Sequence, residues 1–343
     1  MRRVAIALAC GYACGRIGFD ATTSGPDAFV SSVPSCAALQ PTCGPAGTSD
    51  CCETLPVPGG SFFRGYDVAS DGMFTSMAYA ATISSYRLDK FEVTVGRFRQ
   101  FVTAGMGTQA SPPAAGAGAH PNLAASGWQA AWNAGLQLDT SAMVAAIHTS
   151  CMEGSGSASF EPWTDAPGPN ENRPMTCMDW YEAVSFCIWD GGYLPTLAEL
   201  MFAASGGPNQ RAYPWSMPYG DTTIDSTFAS YGNGSQCFGD GQPSCDITDL
   251  VEVGTKPAGD GAFGQSDLAG NVSELVLDWF IGVGQFPVPC NDCAQLADPG
   301  TGYRVTYEGG YNDGADLMRS ASHELAVLPQ ARWHNIGIRC ARP

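Results

Sequence analysis

Charge is scarce in this sequence, and positive charge is scarcest. Charged residues make up 14% of the 343 residues, against roughly a quarter in an ordinary globular protein. Sixteen Lys and Arg face 33 Asp and Glu, for a formal net charge of −17. So acidic a chain, with no basic cluster, has nothing to neutralise a phosphate backbone, which excludes nucleic acid as a partner. No run of about 20 uninterrupted apolar residues occurs, which excludes a membrane-spanning helix from the body of the chain. A Gly-x-Ser-x-Gly elbow, a His-Glu-x-x-His motif and a Walker loop are all missing. With only four His, the fourteen Cys point to disulfides and an oxidising compartment rather than to zinc. The lone C-x-x-C, Cys290–Cys293, sits in a Pro-rich loop with no second pair at finger spacing.

What is present fits a folded protein. Apolar residues reach 44%, too many for a disordered chain. The length allows two domains, or one large domain with an arm. Forty-two Gly and 24 Pro predict short elements joined by long loops. At the N-terminus Arg2 and Arg3 precede the apolar run Val4–Ala9, then Cys10 and Cys14. That arrangement reads as an export signal over residues 1–20, with a cysteine as a candidate for lipidation. The expected location is therefore periplasmic, outer-membrane lipoprotein or extracellular, with membrane contact only through that anchor. Residues 21–55 hold Cys36, Cys43, Cys51 and Cys52 without amphipathic periodicity and read as a stapled linker. Its four cysteines allow three pairings, among which the sequence does not choose.

From residue 56 the texture changes to that of a domain running to 343. Val57–Phe63 reads as a turn feeding a strand, and Ile83–Phe91 as a second strand. Thr94 caps a helix whose apolar face is Val95, Phe98, Phe101 and Val102. Residues 104–127, rich in Ala, Gly, Ser and Pro, read as an exposed insertion. Asp179-x-x-Glu182 and Thr196-x-x-Glu199 are two capping boxes, each opening a helix that a Gly-Gly pair ends. Loops follow, up to an apolar strand over Ile336–Cys340.

Taken in order, the motifs resemble one family. They are Pro58-Gly59-Gly60-Ser61-Phe62, Asp89-Lys90-Phe91-Glu92-Val93-Thr94, Arg173-Pro174-Met175, Ala183–Trp189, Gly192-Tyr193-Leu194-Pro195-Thr196, and Tyr213-Pro214-Trp215. Phe263-Gly264, Asp267–Val272, Asp278-Trp279 and Gly337-Ile338-Arg339-Cys340 complete the set. The chain resembles the formylglycine-generating enzyme, or sulfatase-modifying factor, family over residues 56–343. The resemblance implies an α+β fold: one loop-rich mixed domain, C-type-lectin-like in shape, with little regular secondary structure. It implies a bridge between Cys187 and Cys340, which would also pin a terminus otherwise free to fray. By the same logic Cys151 pairs with Cys177, Cys237 with Cys245, and Cys290 with Cys293.

The resemblance also implies a calcium loop. Asp267 and Glu274 supply two carboxylates, and Gly270 and Val272 two carbonyls, the hard oxygen set that Ca²⁺ takes. A second calcium site has Ser230 where the family carries Asn. Active relatives oxidise a client cysteine to formylglycine with copper, using a cysteine pair in the C-terminal loop. Here that loop reads Glu308-Gly309-Gly310-Tyr311-Asn312, and no cysteine lies between 294 and 339. Copper(I) wants soft thiolates, so copper is not expected. Iron is not expected either: His323 and His334, with Glu324 beside the first, are too few, and His120 and His148 lie far off in sequence. Residues 308–323 are expected to wall the family groove without a thiol, making Tyr311, Asn312, Arg319, His323 and His334 the groove candidates. Two readings stand. One is a divergent binder of a protein, peptide or glycan in that groove. The other is a family oxidoreductase with an altered metal site.

Overall fold

Helices form where the chain caps itself. A computed structural model describes residues 33–152, 160–307, 309–323 and 325–343; Cys10, Cys14, Glu308 and Glu324, and with them the export signal, lie outside the described residues. Helix α1 (Val95–Thr103) opens on the Thr94 hydroxyl, which accepts from Arg97 N at 3.2 Å. Helix α2 (Thr140–Ser150) opens on Asp139, which accepts from Ala142 N at 2.9 Å. It buries only Met143 and Ile147, a stripe too thin to stand out in an Ala-rich stretch. Helices α3 (Trp180–Trp189) and α4 (Leu197–Ala204) both start on complete capping boxes, Asp179 with Glu182 and Thr196 with Glu199. Each box satisfies two backbone N–H groups that the first turn would otherwise leave bare. Among the described residues no helix is long and apolar enough to cross a membrane.

The strands are short and fall into four small sheets. β1 (Thr54–Val57), β4 (Tyr86–Asp89) and β11 (Ala341–Arg342) form one, with β4 central and both neighbours antiparallel to it. β2 (Gly60–Phe63) pairs with β3 (Ala80–Ile83), and β5 (Cys151–Met152) with β9 (Arg332–Trp333). The longest strand, β6 (Ser273–Trp279), lies between β7 (Arg304–Tyr307) and β10 (Ile336–Gly337), with β8 (Leu325–Val327) outside β7. The strand expected over Ile83–Phe91 is thus two strands in different sheets. The break is held by Asp292, whose carboxylate accepts from Ser84 N at 2.7 Å. The strand expected over Ile336–Cys340 is shortened to β10; β11 begins just past it, and Arg339 lies in the gap between them.

Two cores carry the packing. In one, α1 and α3 interleave Phe98, Phe101 and Phe186, with Phe98 stacked on Phe186 at 5.9 Å and Trp180 fully buried. In the other, α4 packs on β3, β6 and β7, with Phe202 edge-on to Phe62 at 5.3 Å. Six disulfides lock the loops: Cys36–Cys52, Cys43–Cys51, Cys151–Cys177, Cys187–Cys340, Cys237–Cys245 and Cys290–Cys293. Cys187 and Cys340 have Cα atoms 5.4 Å apart across 153 residues of sequence.

Two segments sit differently from their reading in the sequence. The Cys-dense segment from 33 onward is part of the compact unit Ser31–Pro343 rather than a linker to it. Ser35 N donates to Asp190 at 3.0 Å, and Arg97 Nε donates to the Ser35 hydroxyl at 3.1 Å. The insertion 104–127 is only partly exposed. Thr108, His120 and Ser126 are buried, and His120 Nε2 lies 3.2 Å from Glu199 Oε1.

Candidate functional site

The C-terminal loop follows β7 and divides its candidate residues between two places. On one side, Tyr311 and His334 meet in a buried contact of 2.5 Å from the phenol oxygen to Nδ1, with Phe160 stacked on Tyr311. Asn312 accepts from Asn335 Nδ2 at 2.9 Å beside them. On the other side, Arg319 donates to Asp67 at 2.5 Å and to Asp71 at 2.6 Å. Four residues on, His323 stacks on Phe286 with ring centroids 4.2 Å apart.

His323 lies in the wall of a cavity of about 190 Å³, with Gly65, Phe74, Tyr79, Phe286 and Ala321 around it. Arg64 packs its guanidinium over Phe286 at 5.0 Å and donates to Pro287 O at 2.8 Å. Burial lowers the Arg64 pKa to about 10. Burial also lowers His323, to about 4, with Arg64 acting in the same direction, so the imidazole is neutral at physiological pH. Of these neighbours only His323 was legible in sequence. Arg64, Phe74, Tyr79 and Phe286 come from loops that carry no motif.

A second site lies under the loop from Asp267 to Glu274. Asp267, Gly270 and Asn271 have φ of 54°, 87° and 62°, and a Cβ on Gly270 would come within 2.3 Å of Ser230 O. The loop therefore needs glycine there. Three buried carboxylates converge near it: Glu92, Asp267 and Glu274. Glu92 accepts from Asn271 Nδ2 at 2.6 Å and from Val272 N at 3.2 Å. Asp267 accepts from Gly254 N at 2.6 Å. Glu274 Oε1 accepts from Arg339 Nε at 2.6 Å, while Arg339 also donates to the carbonyls of Ser266 and Asp267. Burial raises all three carboxylates, Glu92 strongly and Asp267 to about 6; repulsion from Asp267 adds to it at Glu92 and Glu274, and repulsion from Asp260 at Asp267. Glu92 was missed in the sequence because it lies some 175 residues from the loop. The signal available was its place in the Glu92-Val93-Thr94 motif.

This oxygen set suits a hard divalent cation. Three carboxylates against one guanidinium leave two negative charges, and the buried Glu274 Oε2 and Asn271 Oδ1 have no partner. The carboxylates are not gathered around a point, however. Among the described residues the sole cluster of three ligand atoms within 4.8 Å of one another is Cys36, Asp50 and Cys52. Its two sulfurs are bonded to each other and so lack the thiolate a metal would need. All twelve described cysteines are in disulfides. His323 stacks on Phe286, and His334 contacts Tyr311.

Small curled sheets, few helices and disulfide-pinned loops define a mixed α/β protein of the sulfatase-modifying-factor fold. The chain belongs to that family: residues 40–343 match the sulfatase-modifying factor enzyme 1-like domain. A formylglycine-generating enzyme of Thermomonospora curvata is 27% identical over 251 residues, 66% of this chain and 71% of that protein. The inactive C-alpha-formylglycine-generating enzyme 2 of Mus musculus is 24% identical over 300 residues, 83% of this chain and 84% of that one. A serine/threonine-protein kinase pkn1 of Chlamydia caviae is 29% identical over 171 residues, half of this chain but only 24% of the kinase. Among solved structures, PvdO from Pseudomonas aeruginosa superposes with a TM-score of 0.53 at 18% identity, covering 84% of this chain and 93% of that one. That likeness is one of fold.

Proposed function

We propose that this chain is an exported, divergent family member that binds a peptide segment of a partner protein at the His323 cavity and does not act as a copper oxidase. One observation carries the reading. Every described cysteine is committed to a disulfide, so the wall formed by residues 309–323 has no thiolate for copper(I). The cavity remains, with rings and a neutral imidazole where a ligand can lie. Concave, mostly apolar sites with a few polar groups are the usual places of ligand binding. The Asp267–Glu274 loop, with Glu92 as a third carboxylate, serves as a structural calcium site that fixes the floor of the domain.

The test is direct. The purified chain is loaded with copper(I) or iron(II), exposed to dioxygen, and given a cysteine-containing peptide that an active family member converts. The reading expects the cysteine to survive intact by mass spectrometry. Conversion to formylglycine at a rate near that of the active relative would restore the oxidoreductase reading, with an altered metal site.

A further inference from the structure

The lone C-x-x-C of the chain has no part in the reading above. Cys290 and Cys293 are bridged across a separation of only 3, whereas Cys187–Cys340 spans 153 residues. A bridge restrains the unfolded chain according to the loop it closes, so opening this one frees the least chain. The loop is also held without it. Thr82 N donates to Cys290 O at 3.0 Å, and Asp292 N donates to Thr82 O at 3.0 Å. The Asp292 carboxylate accepts from Ser84 N, the Ser84 hydroxyl and Asn122 Nδ2. Beyond Cys293, Gln295 N donates to Asp278 at 2.8 Å. Held in this way, the two sulfurs stay neighbours when they are thiols.

A buried cation faces this bridge. Arg64 is 1% exposed, and its Nη1 donates to Cys293 Sγ at 3.3 Å. Its Nη2 goes to a neutral carbonyl, Pro287 O, and its Nε has no partner. Among the described residues it makes no ion pair; Asp278, which acts on it, accepts from Leu197 N and Gln295 N instead. A disulfide sulfur is a weak acceptor for a guanidinium, whereas a thiolate is a full counter-charge. Opening the bridge thus gives Arg64 the ion pair it lacks, and a stabilised thiolate is the better leaving group in exchange. We propose that Cys290–Cys293 is a reversible redox site that takes two electrons from a dithiol, with Arg64 holding the Cys293 thiolate. One thiolate of the donor attacks Cys290 Sγ, the S–S bond breaks, and Cys293 leaves as a thiolate beside Arg64. The donor's second thiol loses its proton and attacks the donor sulfur of the mixed disulfide, releasing Cys290, which takes up a proton. The donor departs as a disulfide, and one proton in all passes to solvent. Cys290 and Cys293 are 6% and 9% exposed, against 0% for Cys187 and Cys340. Exposed Pro289 and Asn291 flank Cys290, which gives the donor its approach.

The experiment equilibrates the full oxidised chain at graded ratios of reduced to oxidised dithiothreitol until the populations stop changing. Alkylation and peptide mass spectrometry then read each pair, and circular dichroism reads the fold. Cys237–Cys245, with a separation of 8, is a short bridge without such a cation. Cys290–Cys293 is expected to be half-reduced at a ratio at least about tenfold lower than Cys237–Cys245, with the fold signal intact. Arg64→Gln, which keeps a donor but not the charge, should raise that ratio about tenfold. Arg64→Lys, which keeps the charge, should recover part of the difference. Half-reduction at the same ratio as Cys237–Cys245, an unmoved midpoint in Arg64→Gln, or opening only as the dichroism signal collapses would overturn the assignment. Should Arg64→Gln fail to fold, the wild-type comparison with Cys237–Cys245 still decides. None of these outcomes depends on what the His323 cavity binds, so the two ideas fail separately.

Discussion

Two buried charge clusters meet at Asp89 and are balanced in opposite ways. In the first, Arg97 donates to Asp89 at 2.9 Å and to Asp190 at 2.7 Å, and Arg342 pairs with the same two carboxylates. Two cations face two anions, and Cys340 N, Ser35 N and the Ser35 hydroxyl take up remaining sites. Burial alone would raise Asp89, but Arg342 and Arg97 outweigh it and hold the carboxyl below its usual 3.8. In the second, Arg339 donates to the Asp89 carbonyl and faces three carboxylates, with Lys256 acting only on Asp267, and all three are raised. The carboxylates of both clusters are buried, while Arg342 of the first is half-buried. Their difference teaches that the sign of a buried group's pKa shift follows the local count of charges. A closed count makes a strut, and an open one makes a place for a cation.

The sharpest way to break the comparison is to open the closed count. Arg97→Met should destabilise the protein by about 3–5 kcal/mol, because it strands buried carboxylates. Denaturant melts measure this, and a loss below about 1 kcal/mol would show the cluster to be slack. Next, closing the open count with calcium should stabilise the wild type by about 2.7 kcal/mol at a hundredfold excess over its Kd. Glu274→Gln should remove that gain and should also lower the metal-free melt, because it breaks the buried pair with Arg339. A wild-type melt identical in calcium and in chelator would rule the site out.

Acid tests the first cluster more gently. Asp89 has a folded pKa below its unfolded one, so its contribution is full above about pH 4 and is lost as pH falls through the folded value. Melting midpoints between pH 5 and pH 2 should drop along an acid limb that is shallower in Asp89→Asn. The smallest expected effect is Ser35→Ala, which removes one hydrogen bond to Arg97 Nε at about 1 kcal/mol. It should be additive with changes elsewhere and non-additive with those at Arg97, Asp89 and Asp190, which a double-mutant cycle reads.

Local chemistry made much of the fold legible in the sequence. The boxes at Asp179 and Thr196 need residues only three positions apart, so both helix starts stand out in the sequence. The ordered motifs carry the family, and the abundance of cysteine carries the disulfides. What escaped was coupling over distance. Nothing near Glu92 announces Asp267 and Glu274, and nothing in the insertion announces that His120 reaches Glu199. Residues 21–55 read as a linker because their apolar pattern is absent, but those from 33 onward belong to the compact unit. They are held instead by two disulfides and by the Ser35 contacts to Arg97 and Asp190, which periodicity does not register. At the candidate site, His323 was visible as an unusual residue in the loop, whereas its cavity is built from Gly65, Phe74, Tyr79 and Phe286, brought together only by folding.

Residues 339–342 finish four separate constructions at once. Arg339 enters the open cluster, Cys340 closes the bridge to Cys187, and Ala341–Arg342 lay the last strand on β4 while Arg342 completes the closed cluster. For a chain delivered from its N-terminal end, off a ribosome or through a pore, that placement sets a clock. Asp89, Asp190 and Glu274 wait without their final partners, and the ring-rich core around α3 waits without its seal, until residue 342 has arrived. Contacts spanning some 250 residues form slowly. Both clusters and the bridge can therefore close only after residues 339–342 have been made.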